Sequence, residues 1–218
     1  MKDIAIFGVG GFGREVLTLI KDINKVAPQY NIIGFFDDGH EKDEIVNGYP
    51  MLGKTEDLNE WSTDISIAIS VGTPKIKKQI IEKIYNPHIN YPTLIHPNVV
   101  IGDTDFVKIG KGCIICAGCM ITTNIEVKDF VILNLGCTVG HDVIINSFAA
   151  FMPSCNISGE VIIGEGVYCG TGVKIINQTS IGEYAILGAG AVVTKPVPGY
   201  STAVGVPAKV IKCNTISY

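Results

Sequence analysis

The chain has 218 residues, of which 47% are hydrophobic, 8% aromatic and 17% charged. Its net charge is −4 and Arg14 is its single arginine, so it lacks the basic patch of a nucleic-acid binder. No stretch of 18 residues is uniformly apolar, and we expect no membrane span. Seven cysteines, an odd number, follow an N-terminus without a signal-peptide pattern, which indicates reduced thiols in a cytoplasmic protein.

The first elements along the chain alternate between strand and helix, which predicts a small parallel sheet of Rossmann-like βαβ type. They are predicted as strand 3–8, helix 14–20, strand 31–36, strand 64–71 and a helix from 74 to about 85. Glycine is scarcer in this part, with nine glycines in residues 1–100 and 16 in residues 101–218. We therefore predict one domain over residues 1–94 and a second over residues 95–218.

The turn after the first strand carries a G-x-G-x-x-G pattern at Gly8, Gly10 and Gly13. Such glycines let a ligand approach the backbone, and the helix N-terminus that follows can hold a phosphate. Asp37 or Asp38, at the end of the second strand, could meet a ribose or base edge. Fewer than 100 residues cannot supply both halves of a dinucleotide fold, so a nucleotide joined to one sugar fits better than NAD. The alternative is a turn whose glycines serve only strand-to-helix packing.

The second half of the chain contains a six-residue repeat. Every sixth residue from 109 to 193 is apolar, and every sixth residue from 107 to 191 is small or β-branched almost throughout. This pattern predicts a parallel β-helix, in which three short strands form a triangular coil of about 18 residues and stacked coils share one core. An α-helix does not fit, because glycine at this density would cost about 1 kcal/mol per site.

The repeat also assigns the cysteines. Cys113, Cys116 and Cys119 have a spacing that could bind a metal. However, five cysteines fall on inward positions of the repeat and are predicted to be buried wall residues: Cys113, Cys119, Cys137, Cys155 and Cys169. We therefore expect no metal site.

Of the four histidines, His141 is the candidate for chemistry. It follows the inward Val139 by two residues, where a hexad turns its corner, so its side chain should project from the edge of the prism. Asp142 directly after it and Asn134 seven residues before it could orient the imidazole, which suits a general base near neutral pH. Gly159, one coil later at the equivalent corner, would leave room for a thin ligand. The alternative is an ordinary surface histidine on a turn.

Residues 107–194 resemble the hexapeptide-repeat acyltransferases, which fold as left-handed parallel β-helices. The whole chain resembles one branch of them, the bacterial sugar O- and N-acetyltransferases, some of which acetylate nucleotide-linked 4-amino-4,6-dideoxy sugars. The segment Asn134–Asp142, the run Leu187–Val193 and the tail Gly205–Lys209 carry this resemblance.

The resemblance implies a homotrimer with acetyl-CoA lying along the coils in clefts between prisms. It implies His141 as the general base, Asp142 as the acid that orients it and Asn134 as a nearby amide. Gly159 would match the thioester region and Ala189 the pantetheine path. The residues that would match the adenine end are Gly205, Val206 and Pro207. The residues that would match the nucleotide-sugar pocket are Gly10, Gly13, Asp37, Asp38, Gly72 and Thr73.

Two positions depart from the family pattern. Asp142 stands where the family often has glutamate, and its reach is shorter. Ala150 stands where some amino-sugar members have a second histidine, which weakens the transfer of a two-histidine acetyl-binding arrangement to this chain.

We therefore expect direct acetyl transfer from acetyl-CoA to the 4-amino group of a UDP- or dTDP-linked 4-amino-4,6-dideoxy sugar. The pathway that the resemblance implies is bacterial surface glycan synthesis. Two alternatives stay open at this point. One is a sugar O-acetyltransferase, acting for example on a sialic acid, and the other is a non-catalytic nucleotide-binding scaffold that the β-helix trimerises.

Overall fold

A computed structural model describes residues 1–213; residues 214–218, at the end of the predicted second domain, lie outside the described part. The first 90 residues contain six strands and three helices. These are β1 (Lys2–Phe7), α1 (Gly11–Val26), β2 (Tyr30–Phe36), β3 (Ile45–Val46), β4 (Tyr49–Gly53), α2 (Thr55–Asn59), β5 (Ile65–Ile69), α3 (Pro74–Lys83) and β6 (Ile89–Asn90). The predicted strands and helices are confirmed, while the hairpin β3–β4 and the short elements α2 and β6 were not predicted.

The strands of this region form one sheet in the order β3-β4-β2-β1-β5-β6. All its pairings are parallel except that of β3 with β4. Helix α1 buries Val16, Leu17 and Ile20 against one face of the sheet, and Ile80 of α3 packs on the other face. The carboxyl ends of β1, β2 and β5 therefore meet at one edge, where ligands bind in open parallel sheets.

The remaining strands are short, and most have two residues. They are β7 (Leu94–Ile95), β8 (Val100–Ile101), β9 (Val107–Ile109), β10 (Ile114–Ile115), β11 (Met120–Ile121), β12 (Ile125–Val127), β13 (Ile132–Leu133), β14 (Thr138–Val139), β15 (Ile144–Ile145), β16 (Ala150–Phe151), β17 (Asn156–Ile157), β18 (Ile162–Ile163), β19 (Tyr168–Cys169), β20 (Lys174–Ile175), β21 (Ser180–Ile181), β22 (Ile186–Leu187), β23 (Val192–Val193), β24 (Ser201–Val204) and β25 (Lys209–Cys213).

These strands form the three faces of a prism. The first face runs from β7 through β10, β13, β16, β19 and β22 to β24 and β25, the second from β8 to β23, and the third from β9 to β21. Strands stack in parallel with partners 18 residues apart, as in the pairing of Ile114 with Ile132. Both inward sets of the repeat line one continuous core, from Cys113 to Ala203. The predicted parallel β-helix is confirmed.

The glycines that follow the large inward residues of the repeat lie where successive coils approach each other closely. A Cβ at Gly140 would lie 2.8 Å from the nitrogen of Gly159, and one at Gly164 would lie 2.5 Å from the nitrogen of Glu183. These glycines therefore admit the backbone of the next coil. The left-handed conformation occurs two residues later in the hexad, at every sixth residue from Gly112 to Gly190.

Two columns of these left-handed residues differ in character. The polar corner, between the second and third faces, consists of Asn124, Asp142, Glu160 and Gln178. The aromatic corner, between the third and first faces, consists of Phe130, Phe148, Gly166 and Tyr184. Side chains of neighbouring coils meet in both columns, because residues 18 apart occupy the same corner.

The N-terminal region covers the first face and the aromatic corner. Helix α1 packs on the outward side chains Ile114, Ile132 and Ala150, all of which are buried. From α3, the Lys77 Nζ donates to the carbonyl of Phe130 at 2.6 Å, and the Lys78 Nζ donates to the Glu165 carboxylate at 2.7 Å. The second and third faces carry no such cover among residues 1–213.

Candidate active site

His141 lies at the polar corner, between β14 and β15. Its imidazole is more than half exposed, and its Nδ1 is 2.8 Å from the Oδ2 of Asp142. An ionised carboxylate only accepts hydrogen bonds, so the neutral ring donates from Nδ1 and its Nε2 keeps a lone pair. The prediction that His141 projects from the edge of the prism is confirmed. A neutral imidazole in this tautomer can accept a proton at Nε2.

Asp142 is held from two sides. Its Oδ2 meets His141, and its Oδ1 accepts a hydrogen bond from the Asn124 Nδ2 at 3.1 Å. The hydrogen bond from His141, and then that from Asn124, lower the pKa of Asp142, so the carboxylate stays charged when the imidazole takes a proton. Sequence reasoning missed Asn124. The 18-residue spacing that links Asn124 to Asp142 was the signal that could have found it.

Asn134 lies elsewhere. It is buried at the end of β13, and its side-chain oxygen accepts a hydrogen bond from the backbone N–H of Leu135 at 2.7 Å. Within residues 1–213, no hydrogen bond joins it to His141. The amide seven residues before the histidine therefore does not orient the ring within one protomer, because the intervening strand β14 carries His141 to a different corner.

Gly159 lies directly beneath the imidazole. A Cβ at this position would lie 2.5 Å from both the Cε1 and the Nε2 of His141. The space that we assigned to a thin ligand is therefore occupied by the histidine ring itself, which corrects the sequence-based expectation. The backbone N–H of Gly159 donates to no acceptor in the described part of the chain.

Ala189 and the tail residues lie on other parts of the prism. Ala189 is exposed at the corner between the first and second faces, and Gly205, Val206 and Pro207 are exposed just after β24. The N–H of Val192 donates to the Gly205 carbonyl at 3.0 Å, which fixes the tail beside β23. Within one protomer these residues do not meet His141.

The glycine-rich turn precedes a helix N-terminus that is open. Gly10 is the N-cap of α1, with no side-chain cap and no acid in the first turn. A Cβ at Gly10 would meet nothing within 4 Å, whereas one at Gly13 would lie 1.9 Å from the Gly8 carbonyl oxygen. Gly10 therefore leaves the free N–H groups accessible, and Gly13 serves helix-to-strand packing.

The two acids after β2 make hydrogen bonds within the N-terminal region. Asp37 accepts from the N–H groups of Val9 and Gly39, both at 2.9 Å. Asp38 accepts from the N–H and the hydroxyl of Thr55 at the start of α2. Asp37 thus ties the glycine-rich turn to β2, and neither carboxylate is as free for a ribose as the sequence pattern predicts.

A cavity of about 280 Å³ opens at this edge of the sheet, and Asp37 and Asp38 line it together with Val71, Ile76, Gln79 and Lys83. Gly72 and Thr73 follow at the start of α3, where Thr73 is the N-cap. Gly72 faces the prism, since a Cβ there would lie 3.8 Å from the Met152 methyl group. The structure therefore brings the predicted nucleotide-site residues to one edge, with Gly72 on the side of the prism.

All five cysteines predicted to line the prism are buried, and Cys116 is buried as well, under the N-terminal region. Burial raises the pKa of Cys113 to about 11 and that of Cys116 to about 12, which makes these thiols poor nucleophiles. Within residues 1–213, no group of three histidine, cysteine or acidic side chains is arranged to hold a metal ion. In the same part of the chain, no helix combines the length and apolarity needed to cross a bilayer.

Comparison with known proteins matches residues 3–84 to the PglD N-terminal domain family. The chain is 31% identical over 135 residues to GDP-perosamine N-acetyltransferase of Escherichia coli O157:H7, an alignment that covers 62% of the chain and 60% of that protein. It is 32% identical over 120 residues to UDP-N-acetylbacillosamine N-acetyltransferase of Bacillus subtilis (strain 168), covering 54% and 52%. The alignments thus span little more than half the length of these curated relatives.

A solved structure is similar over the whole chain. It is the acetyltransferase domain of PglB from Neisseria gonorrhoeae FA1090 in complex with acetyl coenzyme A. It matches 96% of this chain and 99% of that one, at 32% identity and with a TM-score of 0.86.

Proposed function

The chain belongs to the hexapeptide-repeat, left-handed β-helix sugar acetyltransferase family, and from that premise we propose that it transfers acetyl from acetyl-CoA to the 4-amino group of a nucleotide-linked 4-amino-4,6-dideoxy sugar. In support, the two curated relatives are named GDP-perosamine N-acetyltransferase and UDP-N-acetylbacillosamine N-acetyltransferase. The observation that carries the proposal is the imidazole of His141, with Nδ1 bound to Asp142 and Nε2 directed away from it.

His141 acts as the general base. As the sugar amine attacks the thioester carbonyl, the amine nitrogen must lose a proton, and the Nε2 of His141 accepts it. Collapse of the tetrahedral intermediate then breaks the C–S bond and completes the amide, and the CoA sulfur leaves as the thiol after taking the proton from the imidazolium. The charged Asp142 stabilises the imidazolium that results, because its lowered pKa keeps it ionised. No covalent acyl-enzyme is needed, since both substrates can be held together and six of the seven cysteines are buried out of reach of a substrate.

Backbone N–H groups stabilise the tetrahedral intermediate. The Gly159 N–H, which has no acceptor within residues 1–213, belongs to the residue beneath the imidazole and is a candidate donor for the oxyanion. A donor fixed by the β-helix backbone needs no rearrangement when charge develops on the oxygen, which is the requirement for an oxyanion hole.

The complete site needs a second protomer. Ala189, Gly205, Val206 and Pro207, which the family resemblance assigns to acetyl-CoA, lie away from the corner that holds His141. A homotrimer would bring the Ala189 corner of one prism beside the polar corner of the next. The exposed apolar side chains of Met120, Ile144 and Ile162, on the second and third faces, suit such a contact.

Residues 1–94 bind the nucleotide, and residues 95–218 form the acyltransferase domain. The open N-terminus of α1 at Gly10 suits the diphosphate, and the cavity beside Asp37 and Asp38 suits the ribose and base. Gly72 and Thr73 lie between this cavity and the prism. We propose UDP or dTDP as the nucleotide, a cytoplasmic location and a role in bacterial surface glycan synthesis.

A substrate screen tests the acceptor. Purified protein is incubated with acetyl-CoA and UDP-, dTDP- or GDP-linked 4-amino sugars, and release of the CoA thiol is measured. Thiol release that depends on an amino sugar is expected, with a matched 4-hydroxy analogue much less active. Preferential reaction of the 4-hydroxy analogue would favour a sugar O-acetyltransferase instead. Thiol release that no acceptor stimulates would favour a non-catalytic scaffold.

The His141→Ala variant tests the base. Because a positioned base contributes about 10²–10⁴-fold, kcat should fall by that order. Binding of CoA, followed by calorimetry, should remain intact and serves as the control for folding. An unchanged kcat would remove His141 from the mechanism.

A further inference from the structure

The polar corner consists of two separate amide–acid pairs. Asn124, Asp142, Glu160 and Gln178 lie 18 residues apart, and all have left-handed backbone conformations with φ between 55° and 58°. The Asn124 Nδ2 donates to Asp142 at 3.1 Å, and the Gln178 Nε2 donates to Glu160 at 3.1 Å. Each acid is therefore paired with one amide. The amide partner of Asp142 lies in the preceding coil, whereas the amide partner of Glu160 lies in the following coil.

The first pair continues into the active site. Asp142 is about half exposed and uses one oxygen for Asn124 and the other for His141. A single hydrogen bond would leave the carboxylate free to rotate about its terminal torsion, which has a broad energy profile. The second hydrogen bond holds the carboxylate oriented, so that the Oδ2 stays in line with the Nδ1 of His141.

An amide suits this position because it is a neutral donor. A lysine or arginine at position 124 would neutralise Asp142, and an acid would repel it. An asparagine orients the carboxylate while leaving its negative charge available to a protonated imidazole. Glu160, the other acid of the column, is held toward the following coil by Gln178, which leaves Asp142 as the acid bound to His141.

We propose that Asn124 is a positioning residue for His141, which it orients through Asp142 without touching the substrate. The assignment rests on the proposed function insofar as His141 is the base. The orientation of the ring, however, is a property of the protein alone and can be measured without any substrate.

The Asn124→Gly variant tests the assignment cleanly. Glycine removes the amide but keeps the left-handed conformation at no steric cost, whereas alanine would add backbone strain. Loss of a hydrogen bond to a charged group should lower kcat about tenfold, with the KM of both substrates changed less than about twofold. The matched control is Gln178→Gly, which removes the equivalent amide from the other pair and should leave kcat unchanged.

A spectroscopic readout separates positioning from structure. With ¹⁵N-labelled histidine, the ring nitrogens of His141, assigned through the His141→Asn variant, should show one tautomer protonated at Nδ1 in the parent protein. In Asn124→Gly they should show a mixture of tautomers, and in Gln178→Gly the single tautomer of the parent.

Each outcome bears on one proposal. An unchanged tautomer together with an unchanged kcat in Asn124→Gly would overturn the role of Asn124, as would an equal loss of kcat in Gln178→Gly. If no amino sugar is acetylated, the proposed function fails, and the tautomer measurement still decides whether Asn124 orients the ring.

Discussion

The polar corner and the aromatic corner have the same backbone and opposite chemistry. At each corner a left-handed residue recurs every 18 positions, and side chains from successive coils meet. At the aromatic corner Phe130 and Phe148 stack with ring centroids 5.4 Å apart, and Tyr184 stacks on Tyr200. At the polar corner the side chains hydrogen-bond in pairs and remain exposed.

The β-helix backbone fixes the positions of the corner residues, and the side chains at each corner decide what that corner does. The aromatic corner docks the N-terminal region, with Lys78 reaching between the rings of Phe148 and Tyr184. The polar corner stays open to solvent and presents His141. The difference predicts that changes at the polar corner affect catalysis, whereas changes at the aromatic corner affect stability.

Among the variants that keep His141, Gly159→Ala should have the largest effect, and it should act on catalysis. The new Cβ would meet the ring of His141 at 2.5 Å, so the imidazole must move. Displacement of a catalytic group by about 1 Å can cost about 10²-fold, and we expect kcat to fall by that order. The thermal midpoint should change little, because Gly159 is not left-handed. A full kcat in this variant would mean that the ring position does not matter.

Lys77→Met should act on stability at the aromatic corner. The side chain is fully buried, and burial lowers the pKa of Lys77 to about 7. Between pH 7 and the usual lysine pKa, the unfolded state binds a proton that the folded state does not. Because of this lysine, the free energy of unfolding of the parent protein should therefore increase as the pH rises through that window.

The methionine variant lacks this gain. The free energy of unfolding of the parent minus that of the variant should become more positive by about 1 to 3 kcal/mol between pH 7 and pH 9.5. Urea denaturation at the two pH values measures this difference. Lys75→Met, at an exposed lysine of the same helix, should show a constant difference. A constant difference for Lys77→Met as well would contradict the burial argument.

Lys78→Met should have the smallest effect. Lys78 and Glu165 are partly exposed, and such ion pairs contribute less than about 1 kcal/mol. The hydrogen bond to Glu165 raises the pKa of Lys78, so it stays protonated and its effect on stability should be constant between pH 7 and pH 9.5. A double-mutant cycle with Glu165→Gln measures the coupling. A loss that exceeds that of Lys77→Met at pH 9.5 would reverse the order of the two lysines.

Much of the prism was predictable because its interior admits one type of side chain at each position. The six-residue period identified the inward residues, five of the six buried cysteines and the corner that carries His141. The role of Asn124 was not predicted, because its hydrogen bond to Asp142 depends on which of several polar side chains meet across coils. The same limit applies to Asn134, whose seven-residue separation from His141 places it at another corner.

The N-terminal region was less predictable in its details. The βαβ order and the glycine-rich turn were evident. The hydrogen-bond partners of Asp37 and Asp38 were not, because Val9 and Thr55 lie far from these acids in the sequence. The contacts of Lys77 and Lys78 depend on how the two regions dock. Neither the hydrogen bonds of the two acids nor the contacts of the two lysines follow a repeating pattern that could be recognised in the sequence.

The sequence by itself determined the β-helix, its inward residues and the exposed position of His141, because a repeating backbone translates a short local pattern directly into burial. The tertiary structure alone decided which amide holds Asp142, that Gly159 admits the imidazole, and that one polar and one aromatic corner arise from the same turn. These outcomes depend on side chains that meet from different coils or from different domains, and the geometry of those meetings exists only once the chain has folded.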